Sequence, residues 1–421
     1  MKGVPELVIG ERVKELFKVP ESGFLGRFAP GTRAVSDQDE VVRSAILNPV
    51  ESELFRDKAK GKKSAVVIIS DSTRGIPNEL VLPPVIDELK KAGLTGDQIT
   101  IMVAVGLHRL ATPEELQMIK RQAGGIEAIS HDAYNEGTLS FLGYSKDNTP
   151  IWINRKVIES DLKITIGKVE PHEFAGYTGG RKSILPGVAG EKTINWNHRP
   201  EHLEHPHAVP GRLEGNPIHE DMVEIALKVG VDFSLQVVLN EKGEALGAFA
   251  GGLIASHHRA VELSRELSAV KMEKRPNLVI CHPGSALEIN LYQALKAVFS
   301  AATIVEDGGL IILTAACPEG LGTHLFVDPY RGSSSLDEVL EKAKANYTAP
   351  VDHAILLAKV LKRKVRVFCH CPGVHNEVLQ TMFLEPFPTL QSAVDQGVKM
   401  LNEPAMMVLD RAPALLADIP F

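Results

Sequence analysis

The sequence predicts an α/β protein built from two domains with largely parallel sheets. Short apolar runs alternate with segments of helical spacing over most of the chain, a pattern typical of strands joined by helices. A length of 421 residues suits two or three domains. A charged stretch, KMEKRP at 271–276, precedes a second series of strands and helices. We therefore place the domain boundary there.

This boundary gives an N-terminal α/β domain over 1–270 and a C-terminal α/β domain over 271–404. The sequence leaves open whether the last residues, 405–421, pack back on the first domain. The predicted strands are 64–70, 100–105, 162–166, 233–239, 277–281, 310–314 and 365–369. The predicted helices are 79–92, 218–229, 254–268, 290–302, 351–362 and 388–401, with another opened by Thr112, Pro113 and Glu115 as an N-cap, first turn and capping box.

Composition and charge exclude several classes of protein. With 44% hydrophobic and 24% charged residues, the chain is globular and not disordered. A net charge of -7 argues against nucleic-acid binding, which requires a basic surface. Four cysteines do not make a disulfide framework. An early run of charges argues against an export signal, and no apolar stretch is long enough to span a membrane. We expect a cytoplasmic protein.

The densest segment for chemistry is 167–219, which is rich in glycine and holds six of the fifteen histidines. Its piece GYTGGRKS, at 176–183, nearly matches the phosphate-binding loop G-x-x-x-x-G-K-[ST], but Arg181 stands where that motif needs its second glycine. The mismatch argues against a nucleotide-triphosphate loop. Lys182, beside an arginine in a tight glycine-rich turn, is either an amine nucleophile of lowered pKa or an ordinary surface lysine.

A cluster of histidines follows in the same segment. His198, His202, His205 and His207 suggest zinc, but no cysteine pair accompanies them and the nearby prolines indicate an extended loop. One useful metal ligand among surface histidines is a better interpretation than a four-histidine site.

Polar residues also follow the predicted strands. Asp71, Ser72, Thr73 and Arg74 come after strand 64–70, and they suit a phosphate or carboxylate ligand. His108 follows strand 100–105, and His172 follows strand 162–166. Ligands of α/β folds bind at the carboxyl ends of parallel strands, so the two histidines should converge if these strands share a sheet.

Two further groups lie in the second series. Tyr292, Gln293 and Lys296 share a predicted helix, where a spacing of three to four residues places Lys296 on one face with either of the others. That face would reach a carboxylate across a cleft, or it is simply an exposed helix. Cys369, His370 and Cys371 end a strand, and we interpret them as two buried small residues flanking a histidine.

These motifs together resemble the nickel-dependent lactate racemase family, whose catalytic subunit carries a nickel-pincer nucleotide. The most specific piece is EPHEFAGYTGGRKSILPGVAGEKTINWNH, and DSTRGIPNE, VGLHRLATPEE, GNPIHEDM and LYQALK also match in order. The resemblance covers nearly the whole chain. It implies two α/β domains with the active site in the cleft between them, and maturation by separate cofactor-biosynthesis enzymes. It does not define the oligomeric state.

The resemblance also implies roles for single residues. Lys182 would bond covalently to the cofactor, a pyridinium-3-thioamide-5-thiocarboxylate mononucleotide, and His198 would be the protein ligand of its nickel. His108 and His172 would be the acid–base pair. Arg74, Gln293 and Lys296 would handle the substrate carboxylate and its surroundings, and Asp71 would support the cofactor or a histidine. The cofactor would also be contacted by Ser72, Arg74, Gly179, Gly180 and Tyr292.

The implied reaction inverts the C2 centre of a 2-hydroxy acid. Removing the C2 hydrogen as a proton would place a second negative charge beside a carboxylate, whereas removing it as hydride leaves a planar 2-keto acid. Two histidines on opposite sides can then take up and return the hydroxyl proton.

The chain departs from the lactate enzymes of this family at two places. CHPGSALEIN, at 281–290, replaces N-G-G-Y-P-x-D-Q-N, and PVDHAIL, at 350–356, lacks a pocket tryptophan. Lactate, another 2-hydroxy acid and a sugar acid therefore remain open as substrates. Two other classes also remain open: a phosphotransferase using the loop around Lys182, and a non-catalytic protein that binds a hydroxy acid.

Overall fold

The structure is a computed structural model that describes residues 6–10, 14–34, 37–402 and 404–418. Its strands, in chain order, are β1 (Glu6–Ile9), β2 (Glu15–Lys18), β3 (Phe24–Phe28), β4 (Ala65–Ser70), β5 (Ile99–Ala104), β6 (Glu127–Ser130), β7 (Leu139–Tyr144), β8 (Pro150–Asn154), β9 (Leu162–Lys168), β10 (Pro171–His172), β11 (Gly176–Tyr177), β12 (Phe233–Leu239), β13 (Ala245–Gly251), β14 (Ala269–Lys271), β15 (Leu278–Cys281), β16 (Leu310–Thr314), β17 (Arg366–His370), β18 (Glu385–Pro386), β19 (Met406–Leu409) and β20 (Leu416–Asp418).

The α-helices are α1 (Gln38–Leu47), α2 (Phe55–Ala59), α3 (Asn78–Lys91), α4 (Pro113–Gln122), α5 (Arg155–Glu159), α6 (Glu191–Asn197), α7 (Pro200–Leu203), α8 (Pro217–Val229), α9 (Leu253–Ser268), α10 (Leu291–Ile304), α11 (Leu336–Ala345), α12 (Asp352–Lys362), α13 (Asn376–Thr381) and α14 (Leu390–Leu401). Each strand and helix predicted from the sequence is present, with ends shifted by three residues or fewer. The predicted capping box is present too, because Thr112 and Glu115 each bond the other's backbone N–H.

The first sheet has the strand order β13-β12-β9-β4-β5-β6, and its neighbours are parallel except β12 and β13. Strand β4 lies at its centre between β5 and β9. Val66 and Ile68 of β4 face one hydrophobic cluster, and Val67 and Ile69 face another. A strand buried on both faces explains the continuous apolar run that predicted it.

The second sheet has the order β18-β17-β16-β15-β19-β3 and is parallel throughout. One face of its central strand β15 contributes Val279 and Cys281 to the same cluster that Val66 and Ile68 enter. The two sheets therefore share a hydrophobic core. This agrees with the predicted α/β class and largely parallel sheets.

The two ends of the chain contribute to the second sheet. Strand β3 pairs with β19, which in turn pairs with β15. The predicted division placed 24–28 in the N-terminal domain, whereas β3 lies at the edge of the second sheet. The place of a short strand in a sheet depends on the strand it pairs with. When that partner is distant in the sequence, no local pattern reveals the pairing. The boundary near residue 271 itself remains a prediction.

The C-terminal segment divides between the two parts of the molecule. Strand β19 lies inside the second sheet, whereas β20 pairs with β14. Leu416 of β20 packs with Val169, Tyr177 and Val238 from the first part of the chain. Residues 419–421 of the predicted segment lie outside the described residues. Among the helices that the structure describes, none has both the length and the apolar character needed to cross a membrane.

Candidate active site

The polar residues predicted at strand ends lie at one edge of the first sheet. Asp71 and Arg74 follow the central strand β4, His108 follows β5 on one side, and His172 lies just beyond β9 on the other. Because these strands are parallel, their carboxyl ends meet at the same edge. The strands that precede the two histidines thus share one sheet, which is the condition for the expected convergence.

Asp71 and His108 form a hydrogen-bonded pair. Nδ1 of His108 lies 2.6 Å from Oδ2 of Asp71. Burial would raise the pKa of Asp71, but the bonds from His108 and Thr73 hold it below its usual value. A carboxylate only accepts hydrogen bonds, so the proton of the His108 ring lies on Nδ1, and Nε2 is the nitrogen able to accept a proton.

Arg74 lies between this pair and the residues after β9. Its positive charge helps to lower the pKa of Asp71 on one side and those of His172 and Lys182 on the other. The guanidinium is half-buried. Arg74 thus provides a cation near the centre of the candidate site, where an anionic ligand would be attracted.

The segment after β9 folds back on itself before it reaches Lys182. Strands β10 and β11 form a short antiparallel pair, and a 3₁₀ turn over Gly180–Ser183 follows. Arg181 is buried and donates to the backbone carbonyls of Ala175, Tyr177, Thr178 and Gly179. Burial lowers its pKa to about 9. Arg181 therefore holds the turn together from inside and is not directed at a ligand phosphate.

Gly179 and Gly180 let this turn pack closely against the rest of the domain. Both have positive φ, +77° and +53°. A Cβ atom at Gly179 would lie 2.6 Å from the side-chain oxygen of Gln236, and one at Gly180 would lie 3.0 Å from the ring of His257. Protein side chains therefore fill the space beside these glycines, and their predicted contact with a cofactor remains a prediction.

Lys182 is a buried amine. Its side chain is 9% exposed, and Nζ lies 3.3 Å from Nε2 of His172. Burial, together with the positive charges of Arg74 and Arg181, holds the pKa of Lys182 well below its usual range. A neutral amine is a nucleophile. The interpretation of Lys182 as an ordinary surface lysine is wrong.

His172 contacts a carboxylate that sequence reasoning missed. Its Nδ1 lies 3.3 Å from Oε2 of Glu173, and burial holds the pKa of His172 well below its usual value. The other oxygen of Glu173 lies 3.3 Å from Nζ of Lys296 on α10. Burial would raise the pKa of Glu173, but His172 and Lys296 hold it well below its usual range. The only signal in the sequence was its position next to His172.

His198 lies at the end of α6, beside Phe174 and near Lys182. Its ring is 5% exposed and meets the ring of Phe174 edge-on at 5.0 Å. Burial, with Lys182 nearby, lowers its pKa to about 3. Nδ1 is buried without a hydrogen-bond partner. A neutral imidazole with an unsatisfied buried nitrogen has the chemistry of a metal ligand, so His198 fits the nickel role that the resemblance implies.

The neighbouring residue fixes where His198 lies. Asn197 donates from its side chain to Asp221 of α8 at 2.8 Å.

The other histidines of this segment make structural contacts: His202 bonds the Asn197 carbonyl and Asp147, and His205 packs edge-on against His207. Within the described ranges, no group of three metal-binding side chains is arranged to hold an ion. A four-histidine zinc site is therefore not formed.

Helix α10 carries the predicted site residues of the C-terminal part of the chain, Tyr292, Gln293 and Lys296. Lys296 reaches Glu173, as described above, and Gln293 is half-buried one turn before it. The hydroxyl of Tyr292 donates to Asp352 at 3.2 Å, and its ring stacks on His353 at 3.8 Å. Asp352 and His353 lie in the stretch 350–356, and their contacts with Tyr292 were not predicted.

A cavity of about 810 Å³ opens at the carboxyl ends of β4 and β5 and includes Asp71, Ser72 and His108 in its wall. The hydroxyl of Ser72 donates to Glu115 at 3.0 Å. The volume lies within the range of small-molecule pockets, but His172, Lys182 and His198 do not line this cavity. In the second sheet, Cys369 and Cys371 are buried on either side of His370, as predicted.

Comparison with known proteins agrees with this geometry. The family model described as the lactate racemase N-terminal domain matches residues 10–211, and the one described as the lactate racemase C-terminal domain matches residues 271–411. The lactate racemase of Thermoanaerobacterium thermosaccharolyticum is 31% identical over 401 residues, which cover 92% of this chain and 93% of the relative. That of Lactiplantibacillus plantarum is 31% identical over 368 residues, covering 86% of each.

Solved structures give the same result. The apoprotein of the Thermoanaerobacterium thermosaccharolyticum lactate racemase superposes with a TM-score of 0.90 at 29% identity, covering 98% of this chain and all of that one. A Thermotoga maritima protein from a structural genomics programme shares the fold, with a TM-score of 0.66 at 17% identity over 92% of this chain and all of that one. With both domain models and two relatives matched over most of its length, the chain belongs to the lactate racemase family.

Proposed function

We propose that this protein is an isomerase that inverts the C2 centre of a 2-hydroxy carboxylic acid through a 2-keto acid, using a nickel-pincer nucleotide. The observation that carries the proposal is the contact between Lys182 and His172. A buried amine of lowered pKa lies 3.3 Å from a buried histidine of lowered pKa. Perturbed titratable groups that face each other in a cleft are typical of active sites.

The residues fit the cofactor that the family carries. Lys182 would hold it covalently, and His198, with its unsatisfied Nδ1, would bind the nickel. Asp71, Ser72, Gly179 and Gly180 would surround it, with Arg74 and Tyr292 contributing from either side. When bound, this group supplies the hydride acceptor that amino-acid side chains lack.

The chain's own residues bind and orient the substrate. Arg74 and Lys296 provide positive charge on the two sides of the site, and Gln293 lies one turn from Lys296. Together they would hold the carboxylate while the keto acid presents its other face. A charge-assisted clamp of this kind fixes orientation as well as affinity.

His108 and His172 would exchange the hydroxyl proton. Nδ1 of His108 is hydrogen-bonded to Asp71. Nδ1 of His172 accepts from the backbone N–H groups of Phe174 and Ala175 and lies 3.3 Å from the carboxylate of Glu173. A carboxylate orients the ring and stabilises the cation that forms when the other nitrogen accepts a proton. For one enantiomer, one histidine takes the proton from the hydroxyl and the other returns a proton after inversion. The roles exchange for the opposite enantiomer.

Lactate is one candidate substrate because the relatives are named lactate racemases. The two rival classes have weaker support. The guanidinium of Arg181 donates to backbone carbonyls within the turn and is not directed at a phosphate. This argues against a phosphotransferase. A protein that only binds a hydroxy acid would not need a buried reactive lysine.

The test is intact mass and nickel content of protein produced together with the cofactor-biosynthesis enzymes. We expect a mass adduct and about one nickel per chain in the wild type, none in Lys182→Ala, and an unchanged adduct in the exposed-lysine control Lys192→Ala. A wild-type protein without adduct, from cells that load another family member, contradicts the proposal.

A further inference from the structure

A second cavity, of about 340 Å³, lies between the loop at 206–210 and the helices α10 and α12. Its walls are largely apolar. They include Ala208 and Val209 from the loop, Phe299 and Ala302 from α10, and Leu356 and Val360 from α12. The volume is at the lower end of the range for small-molecule sites. The cavity therefore suits a compact apolar group.

The charged residues at this cavity are already directed at protein oxygens. Nζ of Lys359 donates to the carbonyls of Leu203, His205 and Ala208, which uses all three of its protons. Burial lowers the pKa of Lys359 to about 8. Arg363 donates to Asp307 and to carbonyls at the end of α10, and Arg275 donates to carbonyls of the same turn. Charge is thus not what the cavity offers to an occupant.

The cavity and the candidate active site have Glu173 in common. This residue forms part of the cavity wall, and its carboxylate also lies 3.3 Å from both His172 Nδ1 and Lys296 Nζ. Phe299 follows Lys296 by three residues on α10, so both lie on one face of the helix. A substrate whose carboxylate is near Lys296 would have its next carbon atoms beside this wall.

We propose that this cavity receives the C2 substituent of the substrate, and that the substrate is a 2-hydroxy acid with an apolar side chain larger than a methyl group. This inference rests on the proposed function. A sugar acid would bring several hydroxyl groups against apolar walls and satisfied cations, and burying hydroxyls without partners is costly. Lactate would leave most of the cavity unfilled.

The test compares holoenzyme activity and binding along a series of substrates. We would measure kcat/KM for inversion, and Kd by calorimetry, for lactate, 2-hydroxybutanoate, 2-hydroxyhexanoate and 3-phenyllactate. Each methylene placed against apolar walls should tighten binding by about threefold to fourfold. Affinity and kcat/KM should therefore rise along the series.

A cavity-filling variant separates the pocket from the rest of the site. Ala302→Leu should lower kcat/KM for the two longest acids by about tenfold or more, because overpacking excludes the side chain, and should change kcat/KM for lactate much less. Ala345→Leu makes the same substitution at an exposed position of α11 and should leave the preference unchanged.

The outcomes distinguish this inference from the proposed function. Inversion of lactate with no preference for longer chains, or equal losses on all acids in Ala302→Leu, would overturn the inference and leave the function intact. Binding that strengthens with chain length, in nickel-loaded protein that inverts none of the acids, would support the pocket and overturn the function.

Discussion

The carboxylate of Glu173 lies 3.3 Å from Nζ of Lys296, and both side chains are largely buried. Glu173 follows β9 of the first sheet, whereas Lys296 lies on the helix after β15 of the second. This ion pair therefore joins the two halves of the candidate site. Because Glu173 also contacts His172, it links the position of a proposed acid–base group to the contact between the two halves.

We predict strong energetic coupling between Glu173 and Lys296. Removing one partner leaves the other charge buried without compensation, so Glu173→Gln and Lys296→Met should each lower the free energy of unfolding by about 2 kcal/mol or more. The double variant should cost less than the sum. Denaturant unfolding of the four proteins gives the coupling. The exposed pair Glu136–Lys192 is the control. A coupling energy between Glu173 and Lys296 no larger than that of the control pair would contradict the prediction.

We predict that Asp71 acts through His108. In Asp71→Asn the carboxylate that holds the Nδ1 proton of His108 is lost, so kcat for inversion should fall about 10²-fold or more, while the nickel content of the loaded protein stays near one. Thr73→Val removes only a hydroxyl that bonds Asp71 and should have a smaller effect. Wild-type kcat in Asp71→Asn, beside an inactive His108→Ala, would show that His108 works without this carboxylate.

Buried histidines should make the fold sensitive to acid. Burial lowers the pKa of His198 and of His219 to about 3. Below the usual histidine pKa of 6.5 the unfolded chain takes up a proton at each position, and the folded protein does not until about pH 3. The free energy of unfolding should therefore fall with decreasing pH in this window, by up to about 1.4 kcal/mol per pH unit for each histidine.

Urea unfolding at several pH values between 4 and 7 measures this slope. His219→Gln should make the dependence of the free energy of unfolding on pH shallower by the contribution of one histidine. The same substitution at the exposed His324 should leave this dependence unchanged. Equal slopes in wild type and His219→Gln would mean that His219 is protonated in the folded protein as readily as in the unfolded chain.

Arg181 should prove to be a structural residue. Arg181→Lys cannot replace the bonds to four carbonyls of the turn that carries Lys182, so the free energy of unfolding should fall by about 3 kcal/mol. Loading with nickel should fall as well. Calorimetry should detect no ATP binding by the wild type, and tight ATP binding that Arg181→Lys abolishes would instead support a phosphate-binding loop.

Much of the framework was predictable because its signals are local. Strands β4, β9, β15 and β16 are buried on both faces, so each is a continuous apolar run, and site residues at strand ends follow from parallel topology. Glu173, Asp352 and His353 were missed for the opposite reason. In the sequence they are ordinary polar residues, and their partners come from elements brought near by tertiary packing. The same holds for β3, whose partner β19 lies more than 370 residues away.

That pairing also bears on how the protein is made. The first sheet is contained between residues 65 and 251 and can form while synthesis continues. Strand β3 emerges from the ribosome before the first sheet, yet its partner β19 is translated only on the order of tens of seconds later at usual elongation rates. The second sheet therefore forms last, and α10 and α12 take their final positions with it. Deletion of either β3 or β19 would therefore damage the same sheet, although the residues of the candidate site lie between them in the sequence.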